Sequence, residues 1–306
     1  MYASIDIGTN TVLLLVGEPD GGTVEVVHEE QRFPRLGKGV DASGKLDPDA
    51  VKRVLEVLID YRTILENRFP EVSSTVVTAT SAVRDAANRQ SFIRRVKEKT
   101  GFEITLLSGI QEAEYTFAGA LSVLPDVVRA AVIDIGGGST EIAVGENSRL
   151  IESHSFDMGS VRYSERFLTH DPPTPAEIER CRDTVVATLE SRSFALDSSC
   201  RLVGVAGTAT SLAFVDAGLD RYEPDSLDGY RISADSVDRW IGSLSRLDSR
   251  EIERRYPVVM KGRADLIVGG LLILRGFMEQ YKFREVTVST GGIRHGAILK
   301  RAAARH

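Results

Sequence analysis

The chain has 306 residues, 42% of them apolar, which is enough material for two ordinary hydrophobic cores. Its 38 Lys and Arg stand against 44 Asp and Glu, a net charge of −6, so general nucleic-acid binding is not expected and an anionic substrate would need a local basic patch. No apolar run reaches the length of a membrane span, and Met1 to Asn10 lacks the basic start and cleavage site of a secretory leader, so a cytoplasmic protein with no membrane partner is expected. Cys181 and Cys200 have neither CxxC spacing nor paired histidines and read as reduced, structural residues.

Ser4 to Gly17 reads as strand, polar turn, strand, with Asp6, Gly8, Thr9 and Asn10 at the tip. Val24 to Glu29 follows, then a loop in which Gly37-Lys38-Gly39 is too short for a P-loop and reads as a turn. Asp47 as N-cap, Pro48 at the first helical position and the stripe Val51, Val54, Leu55, Leu58 and Ile59 predict a helix to about Asn67. A strand over Ser74 to Thr78 turns at Ala79 into a helix through Arg84, which Asn88 to Lys99 continues and Gly101 ends. Arg84 falls just past the C-terminal end of a strand, where ligands gather in open α/β sheets, although an arginine there can also simply cover the sheet with its stem. After a strand at Ile104 to Leu107, Ser108-Gly109 starts a helix with Glu112 in its first turn, where the helix dipole favours a carboxylate with or without a task.

Pro125-Asp126 is the expected domain junction. Val132 to Gly145 then repeats the opening: an apolar run ends in Asp134, three glycines follow (Gly136, Gly137, Gly138), and a second run starts after Ser139, Thr140 and Glu141. Glycines in such a turn leave backbone N–H groups able to curl round an oxyanion, and Asp134 and Glu141 are hard oxygen ligands of the kind Mg²⁺ takes, or else two solvated acids. Met158 to Arg162 is another glycine turn followed by a cation; Thr174, Pro175 and Glu177 form a capping box with no function implied. Phe214 to Tyr230 is polar and turn-rich, Trp240, Ile241 and Leu244 suggest a helix, and Leu266 to Phe277 is apolar enough to require burial. A last strand over Glu285 to Ser289 runs into Thr290-Gly291-Gly292 and a terminal helix to about Ala304.

Three pairs of segments recur in the same order. Asp6-x-Gly8 matches Asp134-x-Gly136, Thr78 to Ala82 matches Thr208 to Leu212, and Ile104 to Ile110 matches Val286 to Ile293. The spacing is nearly constant over the first two pairs and grows greatly only between the second and third, so the added residues lie in the second half. Two similar α/β domains facing each other, each offering a phosphate-sized turn to an inter-domain cleft, are expected, with hinge motion closing the cleft round its ligand.

Six motifs carry a resemblance that spans nearly the whole chain: Asp6-Ile7-Gly8-Thr9-Asn10-Thr11, Ala79-Thr80-x-x-x-Arg84, Ser108-Gly109-x-x-Glu112-Ala113, Asp134 to Glu141, Gly159-Ser160-Val161-Arg162, and Gly207-Thr208. In order and spacing they resemble the exopolyphosphatase and guanosine pentaphosphate phosphohydrolase family. The resemblance implies the duplicated actin-like (RNase H-like) ATPase fold of the sugar kinase, Hsp70 and actin superfamily, in the short two-domain form without the helical extension of longer relatives. It sets a first domain over 1–124, with a C-terminal helix (about 294–306) packing back on it. The second domain covers 125–293, with its insertion between 213 and 285.

The function implied is Mg²⁺-dependent release of the terminal phosphate from inorganic polyphosphate, with guanosine pentaphosphate as the alternative substrate. An ATP-dependent kinase and an inactive phosphate or nucleotide sensor are further readings of the same fold. Backbone amides around Gly8, Thr9, Asn10, Gly136, Gly137, Gly138, Ser139, Gly207 and Thr208 would hold phosphate, and Arg84 would grip its oxygens. Asp134, with Asp6 and Glu141, would hold the Mg²⁺. Glu112 matches the family's general base, and Glu141 would orient the same water or the metal. Thr9 and Thr11 stand where many relatives have serine, which keeps the hydroxyls and adds methyl bulk. Arg162, Lys261, Arg263 and Arg294 are candidates for a short basic groove, and a homodimer is the assembly to test.

Overall fold

The computed structural model describes residues 1–197 and 199–304. The chain forms two compact units, Met1–Ser122 together with the residues from Gly291 onward, and Val123–Thr290. Each unit is built on one mixed sheet.

In unit 1, β1 (Tyr2–Ile7), β2 (Val12–Asp20) and β3 (Thr23–Arg32) form an antiparallel meander, after which come α1 (Val40–Ser43) and α2 (Pro48–Arg68). Asp47 caps α2 as its sequence requires, accepting from the amides of Asp49 at 3.0 Å and Ala50 at 2.9 Å. Val51, Val54, Leu55, Leu58 and Leu65 are its buried stripe, and the Tyr61 hydroxyl donates to the Val12 carbonyl at 2.9 Å. β4 (Ser74–Ala79), α3 (Ser81–Asp85), α4 (Arg89–Thr100), β5 (Ile104–Leu106) and α5 (Gly109–Ser122) complete the unit's first part.

The single helix expected from Ala79 through Lys99 is two helices, because Ala86 is extended and the Asn88 amide does not cap α4. Asn88 instead pairs with the Leu46 backbone, accepting from its N–H and donating to its carbonyl, both at 2.9 Å.

Unit 2 repeats the plan with β6 (Arg129–Ile135), β7 (Thr140–Glu146), β8 (Arg149–Phe156), α6 (Ser160–Phe167), α7 (Pro175–Glu190), β9 (Arg201–Val205) and α8 (Ala206–Asp216). It continues through α9 (Pro224–Leu227), β10 (Arg231–Ser233), α10 (Ala234–Leu244), α11 (Ser249–Arg255), α12 (Pro257–Met260), α13 (Ile267–Gln280) and β11 (Glu285–Val288). The sheet orders are β3-β2-β1-β4-β5 and β10-β11-β9-β6-β7-β8. Read from the meander inward they are the same order, with β10 added at one edge of the second sheet. β1 and β4 run parallel, as do β6 and β9, so the chemistry-bearing turns leave the same end of each sheet.

The sequence reading passed over β8 and β10. β8 is polar and half exposed along Arg149–Phe156, and β10 has three residues, so neither carries the apolar alternation that announces a strand. α13 is buried nearly all round and packs against α6, α7 and α10, which explains its unbroken apolar run. Cys181 and Cys200 are buried and unbridged; burial pushes their thiols up to about 12 and about 11, so neither is a nucleophile at neutral pH.

The last helix, α14 (Ile293–Ala303), packs on α5 and on β1, β2 and β3 of unit 1. Ile298 joins Leu15 and Val24 in a small apolar cluster, and three polar ties fix the helix: Arg294 to Glu29 at 3.0 Å, Lys300 to Glu114 at 2.6 Å, and Arg301 to the Ser74 hydroxyl at 2.9 Å.

Candidate functional site

Both glycine turns are built alike. In unit 1 the Gly8 amide closes the turn on the Thr11 carbonyl at 2.9 Å. Asp6, at the end of β1, is buried and accepts from the Thr78 hydroxyl of β4 at 2.8 Å. Thr78 lies in a repeated segment, but only the parallel register that sets Asp6 beside Thr78 reveals its task. The Thr9 hydroxyl pairs with Ser81 at 2.9 Å, and its methyl fits because position 37 is glycine: a Cβ there would lie 2.2 Å from Thr9 Cγ2. The added bulk of Thr9 is thus taken up by the loop the sequence reading assigned only as a turn. Asn10 completes the tip, its carbonyl accepting from the Arg35 amide at 3.1 Å.

Arg84 lies in the last turn of α3 and Glu112 in the first turn of α5, and the structure brings them together. Arg84 Nη1 donates to Glu112 Oε2 at 3.0 Å and to the Leu107 carbonyl at 2.9 Å. Glu112 is only 4% exposed, so this charge-assisted bond is part of what makes a carboxylate tolerable there. The Nε and Nη2 donors of Arg84 make no hydrogen bond to any described residue, which leaves a guanidinium edge for an anion.

In unit 2 the three glycines are set by their carbonyls. Gly136 accepts from the Ser160 amide at 2.9 Å, Gly137 from the amides of Val161 at 2.8 Å and Arg162 at 3.0 Å, and Gly138 from Arg162 Nε at 2.7 Å. A trans peptide plane carries one residue's C=O and the next residue's N–H on opposite sides. Turning three successive carbonyls onto the start of α6 therefore turns the N–H groups of Gly137, Gly138 and Ser139 away from it, as a row of donors suited to a phosphate. The approach is so close that only glycine fits at 159, where a Cβ would lie 2.4 Å from the Gly137 carbonyl oxygen.

Beside this turn, Asp134 on β6 lies directly opposite Glu141 on β7, both buried. Glu141 Oε1 accepts from the Ser155 hydroxyl of β8 at 2.6 Å, a partner hidden from sequence reading in the unrecognised strand. Two carboxylates on one face of adjacent strands repel unless a cation lies between them, and oxygen donors are what a hard divalent ion takes. No group of three or more metal-ligating side chains occurs among the described residues. An ion on this pair would thus keep room for water and phosphate oxygens, the coordination Mg²⁺ favours.

Gly207 and Thr208 open α8, whose N-terminus has no side-chain cap and whose first residue, Ala206, has φ 59°. Arg263 Nη1 donates to the Gly207 carbonyl at 3.1 Å and to the Ser211 hydroxyl at 3.0 Å. Burial lowers this guanidinium to about 10, which leaves it cationic at neutral pH. A helix start with a fixed cation beside it favours an anion. Of the other groove candidates, Arg162 is tied into the glycine turn and Lys261 is exposed. Arg294 does not serve as a groove cation: it is held on Glu29 and donates to the Leu14 carbonyl at 3.2 Å.

Doubled phosphate-sized turns on two sheets of one topology define a phosphoryl-handling protein of the actin-like fold. A model of the Ppx/GppA phosphatase family matches residues 15–304, and the chain belongs to that family. It is 34% identical to Exopolyphosphatase 2 of Mycobacterium tuberculosis, over 98% of both chains. The crystal structure of the Aquifex aeolicus family member superposes with a TM-score of 0.84 at 28% identity, covering 100% of this chain and 98% of that one. That of an exopolyphosphatase from Cytophaga hutchinsonii does so at 0.89 and 25% identity, covering 99% and 98%. No helix among the described residues is long and apolar enough to cross a membrane.

Proposed function

We propose that this protein is an exopolyphosphatase, releasing the terminal phosphate of inorganic polyphosphate, with guanosine pentaphosphate as a second substrate of the same chemistry. The observation that carries the reading is the glycine turn of unit 2, whose carbonyls are fixed on α6 so that three amides are presented together beside a pair of buried carboxylates. Such a turn recognises a phosphate by its oxygens and asks nothing of a base or sugar.

Hydrolysis of a phosphoanhydride needs the terminal phosphate held, its charge balanced and a water aligned behind phosphorus. Gly137, Gly138, Ser139 and the start of α8 at Gly207 and Thr208 serve the first need in unit 2, and the turn at Gly8, Thr9 and Asn10 serves it in unit 1. Arg84 uses its remaining donors on phosphate oxygens and so balances charge. Glu112, fixed by its bond to Arg84, is the residue of unit 1 suited to take a proton from water, and Glu141, fixed by Ser155, is the residue of unit 2 suited to orient a water or the metal.

Mg²⁺ fits the Asp134 and Glu141 pair of unit 2, and Asp6, which accepts from Thr78, is the lesser candidate that unit 1 offers. When bound it supplies charge neutralisation to the phosphate oxygens. The cytoplasm is the compartment this reading assigns, and the two compact units are read as the family's two domains.

Phosphate release from long polyphosphate in the presence of Mg²⁺, compared with the Gly159→Ala variant, tests the carrying observation. The variant is expected to lose most of the activity because the added methyl pushes Gly137 and Gly138 out of line. Wild-type activity in the variant would overturn it.

A further inference from the structure

Five non-glycine residues among those described have a positive φ, and local structure accounts for three of them. Asn147 and Ser148 make the two-residue turn between β7 and β8, and Lys282 follows the C-terminus of α13, both places where a left-handed residue is ordinary. Ala206 opens α8 beside Gly207. The fifth, Arg35, has φ 55° and lies between β3 and α1, in neither a hairpin turn nor a helix end.

This backbone is unfavourable for any residue with a Cβ and persists only where the surroundings fix it. Here they fix it from both sides. Arg53 Nε of α2 donates to the Pro34 carbonyl at 3.0 Å, Leu36 is fully buried in the core of unit 1, and Gly37 is wedged against α3, where a Cβ would lie 3.1 Å from the Ala82 Cβ.

The result is a pair of donors aimed at the first glycine turn. The Arg35 amide donates to the Asn10 carbonyl at 3.1 Å and the Gly37 amide to the Thr9 carbonyl at 2.8 Å. Across each trans peptide plane the next amide points the opposite way, so fixing these two carbonyls turns the N–H groups of Asn10 and Thr11 away from the loop. In unit 2 the start of α6, directly after β8, holds the glycine carbonyls in the same manner. After β3 there is only the four-residue α1, and the strained loop stands in place of a helix start.

We propose that residues 34–37 are the positioning element of the unit 1 phosphate turn, with Arg35 acting through its backbone amide as a positioning residue. The inference rests on the reading of that turn as a phosphate holder and deepens it, because it names what keeps the amides in place before phosphate arrives.

The test compares Arg35→Gly with Arg35→Val. Both remove the guanidinium, but glycine takes a positive φ freely and a β-branched residue resists it. Amide hydrogen exchange at residues 9–11 is measured in the free protein, and tripolyphosphate is the probe for direct binding without Mg²⁺ and for steady-state kinetics with it. In Arg35→Val we expect exchange to be faster, and Kd and KM higher, by about tenfold than in Arg35→Gly, with kcat changed far less than KM. Arg53→Gln, an exposed change on α2 that frees the Pro34 carbonyl, should move exchange, Kd and KM in the same direction as the Val variant, and it replaces that variant if Arg35→Val does not fold. Equal exchange and equal Kd in the Gly and Val variants would overturn the proposal, since only the guanidinium would then matter. So would wild-type exchange in both Arg35→Val and Arg53→Gln. If the wild type released phosphate from no polyphosphate, the functional reading would fall, while exchange at residues 9–11 would still decide the role of the loop.

Discussion

Asp134 and Glu141 stand directly opposite each other on the antiparallel pair β6 and β7, whereas at the matching place in unit 1 Asp6 faces Leu13. The duplication therefore doubled the turn but not the carboxylate pair. Asp6 and Glu141 each accept from a neutral hydroxyl, but only in unit 2 do two buried acids share one face. Like charges so placed destabilise the protein until a cation joins them. Thermal unfolding is expected to rise by a few degrees when Mg²⁺ is added at about a hundred times its Kd, and this gain should vanish in Asp134→Asn. An equal rise in both proteins would move the ion elsewhere.

The bond between Arg84 and Glu112 separates two roles that kinetics can tell apart. Glu112→Gln keeps size and a hydrogen-bonding carbonyl but removes the base, so kcat should fall on the order of 10²- to 10⁴-fold with substrate affinity nearly unchanged. Arg84→Ala removes a donor to bound phosphate and also leaves Glu112 buried without that partner, so both affinity and kcat should fall. Near wild-type kcat in Glu112→Gln would transfer the base assignment to Glu141.

The packing of Gly159 on Gly137 makes a stability prediction as well. Gly159→Ala must displace backbone on at least one side, since its Cβ would lie 2.6 Å from the Gly138 carbonyl carbon, and a loss of about 1–3 kcal/mol is expected in denaturant unfolding. Gly242→Ala is the control, as nothing lies within 4 Å of a Cβ there. Equal stability of the two variants would show that the α6 start is not pinned to the glycine turn.

Stability should also depend on pH through His295 of α14, which is 3% exposed with an unpartnered Nδ1. Burial first, and then Arg294, lowers it from 6.5 to about 3. Its folded form therefore refuses a proton that the unfolded chain takes up below about 6.5. The associated stability is complete above that value and declines as pH falls towards 3, by about 1.4 kcal/mol per unit over the steep part. Unfolding at pH 7.5 and 5.5 should show this loss in the wild type and a smaller one in His295→Leu. An identical pH dependence in the two would remove His295 from the cause.

The duplication was legible because its signals are local. Asp-x-Gly turns, a capped helix such as α2 and the apolar run of α13 each announce themselves within a few residues. What escaped depends on partners far along the chain. Asn88 reads as part of a continuing helix until Leu46 claims its side chain, and Arg294 looks like a groove cation until Glu29 does. Glu177 was legible as a capping box, which it forms with Thr174, but Oε1 also pairs with the His170 ring at 2.9 Å and accepts from Thr169, bonds that hold its carboxyl well below the usual range and close the loop before α7. The strand that delivers Ser155 to Glu141 is polar and half exposed, so the residue that fixes this carboxylate had no pattern to betray it.

The most direct test of the function is phosphate release measured side by side from long polyphosphate, tripolyphosphate, guanosine pentaphosphate and ATP with Mg²⁺ present. Turnover of polyphosphate, with guanosine pentaphosphate second and ATP negligible, is the expected result. Turnover of ATP alone would contradict it and make the glycine turns those of an ATP-using enzyme.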